Sequence, residues 1–247
     1  MEQKNTWYEE WFNKEYYHIL YSNRNEDEAN RFIHNIHKVL HLPEKSIVWD
    51  TACGRGRHCY AFYKLGYNVI GTDISPNNIK AAKKNYKNIS DNFFLHDIRR
   101  EFYKNYFNLV VNLFTSIGYF DYLYEEQKAI SVICKACKVN GYIIIDFLNP
   151  QYLIQKIVPH ETKEINHLIF NIKREIKEGF VFKYIEVIDK NNKYHFQERV
   201  RLLSFDFIEK ELHKNNVKLV QSFGDYNLST FNPKTSARMI FIGKRLS

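Results

Sequence analysis

No run of eighteen apolar residues occurs in this 247-residue chain, so it lacks the length of unbroken hydrophobicity a membrane-spanning helix needs. The opening Met1-Glu2-Gln3-Lys4-Asn5-Thr6 is polar where a secretory leader would be basic and then apolar, so a soluble, cytoplasmic protein with no membrane partner is expected. Cysteine is scarce, with four residues at 53, 59, 134 and 137. Cys134-Lys135-Ala136-Cys137 has metal-ligand spacing, but the pattern around it is helical, where residues three apart share a face. Cys53 and Cys59 have no partner at metal-ribbon spacing, and buried thiols with no metal site are the expectation. Five like charges never stand in a row, and no internal repeat or low-complexity linker appears. The net charge of +8 suits an anionic partner such as nucleic acid. Its basic residues are interleaved with acids, however, and abundant Lys, Asn, Ile, Tyr and Phe follow from AT-rich codons alone, so nucleic acid is permitted and not favoured.

The chain has the length and apolar content, 45%, for one large α/β domain with an appended piece. Its most informative segment is Ser46-Ile47-Val48-Trp49-Asp50-Thr51-Ala52-Cys53-Gly54-Arg55-Gly56-Arg57-His58, an apolar strand that ends in an acid and a small-residue turn. Glycine there reaches positive φ and leaves no side chain between peptide and ligand. Asp73, nineteen residues after Gly54, stands at the tip of the next strand, where a ribose diol is hydrogen-bonded. The apolar period of Ala29, Phe32, Ile33, Ile36, Val39 and Leu40 predicts a helix over 26–40. Ser75-Pro76 starts another behind the acid strand. Val110 and Tyr142–Phe147 read as buried parallel strands, the latter entered through a turn at Asn140-Gly141. Strands alternating with helices predict a parallel sheet covered on both faces.

Four blocks in order resemble the class I S-adenosylmethionine-dependent methyltransferases. Asp50-Thr51-Ala52-Cys53-Gly54-Arg55-Gly56 matches the family's acidic-x-(Gly/Ala)-x-Gly-x-Gly turn, and Val69-Ile70-Gly71-Thr72-Asp73-Ile74-Ser75 its second strand and acid. His96-Asp97-Ile98-Arg99 matches the adenine-contacting aspartate, and Phe107–Phe114 the fourth strand. A nicotinamide or flavin domain would want a small third residue where Cys59 stands, and gives the Asp97 block no role. The resemblance implies a doubly wound, seven-stranded methyltransferase sheet and S-adenosylmethionine as cofactor. It places Asp50 and the backbone of Ala52, Gly54 and Gly56 at the methionine part, and Asp73 at the ribose. Ile74 would cover an adenine face, Asp97 and the Ile98 amide would meet the adenine edge, and the Leu113 or Phe114 carbonyl the methionine ammonium.

After Asn149-Pro150 the period changes to short alternating stretches at 165–170, 180–187 and 194–200, with turns at Glu178-Gly179 and Lys190-Asn191-Asn192. This predicts an antiparallel β insert after the fifth strand, followed by a helix over 205–214 and an edge hairpin from strands near 217–223 and 239–242. The expected organisation is an N-terminal helical lid over 1–45, a core over 46–149 and 205–247, and the insert over 150–204. An insert leaving the fifth strand tip overhangs the ligand site of such sheets, and serves equally as a dimer surface. Glu198 and Arg199 on it are candidate acceptor-binding residues, with a solvated strand face the alternative reading. In the N-terminal aromatic segment, Tyr16 and Tyr17 are candidate catalytic residues, because similar methyltransferases begin with a tyrosine-rich segment over the positive sulfonium. His18, His160, His167 and His195 are candidate bases, although an amine acceptor of low pKa needs none. The expected function is methyl transfer to a small-molecule N or O nucleophile, by a monomer or homodimer. RNA methylation, and cofactor binding without catalysis, are the alternatives.

Overall fold

The computed structural model describes residues 7–246; the first six residues of the expected N-terminal segment, and Ser247, lie outside the described residues. Three helices come first: α1 (Trp7–Phe12), α2 (Glu15–Leu20) and α3 (Glu26–Leu40). The alternating unit follows as β1 (Ile47–Asp50), α4 (Arg57–Lys64), β2 (Asn68–Asp73), α5 (Pro76–Asn85), β3 (Phe93–Leu95), β4 (Phe107–Asn112), α6 (Leu123–Ala136) and β5 (Cys137–Leu148). Then come α7 (Pro150–Lys156), β6 (His160–Ile165), β7 (Leu168–Lys177), β8 (Phe180–Asp189) and β9 (Asn192–Arg201). The chain closes with α8 (Phe205–Lys214), β10 (Val217–Phe223) and β11 (Arg238–Arg245).

Seven strands form one sheet in the order β10-β11-β5-β4-β1-β2-β3, in which β11 alone runs against the others and so pairs antiparallel with both β5 and β10. This is the expected doubly wound sheet with its antiparallel edge hairpin. Period 2 divides the core: Trp49 and Val110 face α6 and α8, while Val48, Leu109 and Val111 face α3, α4 and α5. All five are fully buried, as a sheet covered on both faces requires. Winding proceeds from β1 toward β3 on one side and from β4 toward β10 on the other, so strand order reverses between β1 and β4. A crevice opens at the carboxyl ends of these strands, and the Asp50–Gly56 turn borders it.

Helix boundaries follow local chemistry. The Asn25 side chain accepts from Glu28 N–H and starts α3, and His41 in left-handed conformation ends it. Ser75 caps α5, with Pro76 in the first turn.

Three expectations are corrected. Cys137 is not helical: α6 stops at Ala136, and Cys134 and Cys137 are separate buried thiols on two elements. Asn140-Gly141 is not a turn before the fifth strand but an irregularity inside it, where the β4 partner shifts from Cys137 to Tyr142 and Asn140 takes φ 64°. The insert has four strands rather than three, ordered β6-β7-β8-β9, because Asn166-His167 breaks the first alternating stretch into a hairpin. One face of this sheet buries Leu168, Phe170, Ile172, Ile185 and Val187 against Trp11 and Leu20 of α1 and α2.

Candidate active site

The turn after β1 is held open by its neighbours. Cys53 N–H donates to Thr72 O at 2.8 Å, and Gly54 N–H to Asp73 Oδ2 at 2.9 Å. Gly54 takes φ 55° with open space where a Cβ would stand, leaving bare backbone toward the crevice. Gly56, at φ 88°, packs instead against the ring of Phe93, which a Cβ would meet at 2.8 Å. The other Asp73 oxygen accepts from Ser75 N–H at 2.8 Å and from Asn78 Nδ2 at 3.2 Å. The one carboxylate therefore pins the glycine turn and the start of α5 together, with burial raising its pKa. Asp50 is buried more deeply: the Cys59 thiol donates to Oδ2 at 3.5 Å, Oδ1 has no partner, and burial pushes the carboxyl up to about 7.

Beyond β3, Asp97 is tied to its own neighbour. Arg99 donates through Nε and Nη2 to the two Asp97 oxygens at 3.0 and 2.7 Å, and through Nη1 to Glu125 at 2.6 Å. Burial alone would raise the Asp97 pKa, but the Arg99 guanidinium wins and holds the carboxylate below its usual range.

At the tip of β4 two successive non-glycine residues, Phe114 and Thr115, adopt left-handed backbone at φ 72° and 60°. Such strain persists only where the surroundings impose it. Here Asp146 of β5 does so, fully buried: its Oδ2 accepts from Phe114 N–H at 2.8 Å and its carbonyl from Thr115 N–H at 2.9 Å. Arg238 of β11 completes the clamp, with Nε donating to Asp146 Oδ1 at 2.7 Å and Nη2 to Thr115 Oγ1 at 2.9 Å.

These four strand tips, of β1, β2, β3 and β4, border one cavity of about 330 Å³. Its far wall is aromatic, with Tyr8, Phe12, Tyr17 and Tyr21 from the N-terminal segment and Tyr119 and Phe120 from the loop after β4. Ring edges lock this wall together: Phe12 stands 5.0 Å from Tyr17 and 5.3 Å from Tyr119, centroid to centroid. His18 also lines it, and burial, with the Arg55 charge nearby, lowers its pKa to about 4.

Of the residues expected at the site, Ala52, Gly54, Asp73, Ile74, Asp97, Ile98, Leu113, Phe114 and Tyr17 line the cavity. Asp50, Gly56, Tyr16, Glu198 and Arg199 are not among its lining residues, and neither is any residue of β6–β9. Tyr16 donates to Asp189 at 2.9 Å on the insert. Glu198 accepts from Trp11 Nε1 at 2.8 Å and Tyr21 Oη at 2.8 Å, with Lys183 Nζ at 3.4 Å, so it fastens α1 and α2 to β9. Arg199 pairs with Asp121. Sequence reasoning missed Arg24 and Arg57, and the clamp of Asp146 with Arg238. The aromatic segment signalled a wall but not which rings face inward.

A crevice at a parallel-sheet switch point, with bare glycine backbone at one strand tip and acids at the next two, defines a Rossmann-like nucleoside-binding protein. Residues 43–200 match the family model of the methyltransferase domain, and the chain belongs to that family. A crystal structure of a S-adenosylmethionine-dependent methyltransferase from Clostridium acetobutylicum ATCC 824 superposes with a TM-score of 0.80 at 16% identity, covering 94% of this chain and 96% of that one. The putative methyltransferase YqeM of Bacillus subtilis (strain 168) is 24% identical over 49% of this chain and 49% of its own. The dTDP-3-amino-3,4,6-trideoxy-alpha-D-glucopyranose N,N-dimethyltransferase of Streptomyces venezuelae is 27% identical over 42% of this chain and 43% of its own. The matches thus span about half the length of these curated relatives or less. Among the described residues, no helix is long and apolar enough to cross a membrane.

Proposed function

We propose that this protein transfers a methyl group from S-adenosylmethionine to a nitrogen or oxygen of a small molecule. The observation that carries the reading is the single cavity bordered in order by the Gly54 backbone, Asp73, Asp97 and the Phe114 turn, and closed by aromatic rings. The open space at Gly54 fits a ligand lying against the peptide, and the buried Asp73 carboxylate, acceptor-only when ionised, fits a diol. Ala52 and Gly54 would face the methionine part, Asp73 the ribose, Ile74 an adenine face, and Asp97 with the Ile98 amide the adenine edge. The Leu113 or Phe114 carbonyl would meet the ammonium; the Leu113 carbonyl already accepts from Ser116 Oγ at 2.7 Å, which leaves the Phe114 carbonyl the freer of the two. Asp50 acts from behind the turn.

When bound, the cofactor would supply an activated methyl on a positively charged sulfur. What this chain must do is align the acceptor and keep water out. Tyr8, Phe12, Tyr17, Tyr21, Tyr119 and Phe120 form the excluding wall, and their ring faces suit a cation. Tyr17 stays a neutral phenol, since burial and the Glu198 charge raise its pKa. His18 is neutral at pH 7 and is the one cavity-lining candidate base among those read from sequence. Supporting a small acceptor over RNA is the enclosed aromatic wall, and the Streptomyces venezuelae relative acts on an amino sugar. Calorimetry with S-adenosylhomocysteine, followed by radiolabelled methyl transfer to a panel of amino sugars, small amines, phenols and RNA, tests the proposal. Binding with turnover of a small acceptor is expected; no binding, or turnover of RNA alone, overturns it.

A further inference from the structure

Three guanidinium groups gather around one ring. Arg24 Cζ stands 3.6 Å from the centroid of Phe114, Arg57 Cζ 5.0 Å and Arg238 Cζ 5.8 Å. Their charges are matched very differently. Arg238 is neutralised by Asp146 in the clamp beneath the ring. Arg57 has Glu28 Oε1 at 3.5 Å, an oxygen that takes no hydrogen bond, and a long donation to Asn25 O at 3.4 Å. Arg24 has no carboxylate within ion-pair distance among the described residues, and both Arg24 and Arg57 line the cavity.

Two arginines held beside one ring repel each other, and both lose hydration, so the arrangement costs free energy until an anion joins them. Burial and the Arg24 charge both lower the Arg57 pKa, against the pull of Glu28. The helix that Arg57 opens adds to the field. Gly56 caps α4 with no side-chain hydrogen bond, and the free N–H groups of such a first turn favour negative charge. The two carboxylates that line the cavity, Asp73 and Asp97, are committed at the other strand tips to backbone N–H groups, Asn78 and Arg99.

We propose that Arg24 and Arg57 form an anion cradle at the Phe114 end of the cavity, built for a carboxylate or phosphate group carried by the cofactor or by the methyl acceptor. The naming of those two carriers rests on the methyl-transfer reading; the cradle itself does not. Arg24 presents a flat guanidinium against the ring and keeps its N–H edge for bidentate contact. In the cofactor, the carboxylate adjoins the ammonium assigned to the Phe114 turn. In an acceptor, a phosphate or carboxylate would anchor the molecule with its nucleophile inward.

The test compares wild type with Arg24→Gln and Arg57→Gln by calorimetry, using S-adenosylhomocysteine, 5′-methylthioadenosine, which lacks the amino-acid carboxylate, and inorganic pyrophosphate added to the S-adenosylhomocysteine-loaded protein. A charge-assisted bidentate contact predicts a loss of about tenfold or more per arginine. Loss for S-adenosylhomocysteine with 5′-methylthioadenosine unchanged supports the cradle and assigns it to the cofactor. Unchanged S-adenosylhomocysteine with loss for pyrophosphate supports it and assigns it to the acceptor. Equal loss for both nucleosides, or no change in any ligand, overturns it. Should either variant misfold, wild-type affinities measured from low to high salt serve instead: weakening for the ligand that carries a carboxylate or phosphate group and not for 5′-methylthioadenosine is expected, and parallel behaviour overturns the cradle. A wild type that binds neither nucleoside yet holds pyrophosphate through these arginines would fell the methyl-transfer reading and leave the cradle standing.

Discussion

Gly54 and Gly56 share left-handed backbone, but the space around them separates their roles. Gly54→Ala adds a methyl group facing the open crevice and strain of about 1–2 kcal/mol, so its expected signature is weaker S-adenosylhomocysteine binding with a small drop in melting temperature. Gly56→Ala drives a methyl group into Phe93, and stability should suffer first. Thermal melts and calorimetry on the two variants should therefore rank them in opposite orders. Asp73→Ala should weaken cofactor binding about ten- to a hundredfold by loss of the diol contact. It also strips partners from Gly54 N–H and Ser75 N–H, so a lower melting temperature should accompany the lost affinity. Asp50 makes a pH prediction. Its folded pKa of about 7 lies above the unfolded value near 4, so the unfolded chain releases this proton first and stability falls as pH rises between the two. Relative to Asp50→Asn, the wild type should lose melting temperature from about pH 4 to about pH 7 and run parallel above that. Parallel curves throughout would place the Asp50 carboxyl in a solvated setting.

Among the elements, the short helices α1 and α2 depend on what they rest against. Six-residue helices are marginal alone, and these are held by Trp11 and Tyr21 donating to Glu198, with Lys183 beside them. Glu198→Ala leaves Lys183 buried without its counter-charge and should cost about 3–5 kcal/mol, read by chemical denaturation. A change below 1 kcal/mol would mean the network is loosely solvated. Elements set by local signals were legible in the sequence: α3 from its apolar period and Asn25, α5 from Ser75-Pro76, and the parallel strands from unbroken Val and Ile. α7 carried the same signal, Asn149-Pro150, and was missed because the change to alternating strands just beyond it dominated the reading. The β4 tip was legible only in part. Nothing in Phe114-Thr115 signals positive φ, which is imposed by Asp146 and Arg238, 32 and 123 residues away. Arg24 was illegible for a related reason, since its role depends on a ring ninety residues further on.

At the scale of the molecule, cavity and insert are joined through an intermediary. β6–β9 contribute no lining residue, yet their buried face and Glu198 carry the N-terminal segment that supplies much of the aromatic wall. We propose that the insert serves as a backstop and α1–α2 as a closing surface, and the two then differ in their expected motions. Ligand binding should order the closing surface and leave the backstop as it was, because the ten-residue strands β7, β8 and β9 are already paired along their length. Hydrogen exchange with and without S-adenosylhomocysteine should show added protection over 7–24 and over 113–120, and little change over 168–201. Trp11 and Leu20 sit at the joint, buried against the insert, so protection should decay from the cavity side of α1 and α2 toward them. Protection confined to β6–β9 would reverse the assignment and make the insert the moving lid. No protection in either region would mean that the aromatic wall stands preformed, with the acceptor entering a site that does not close.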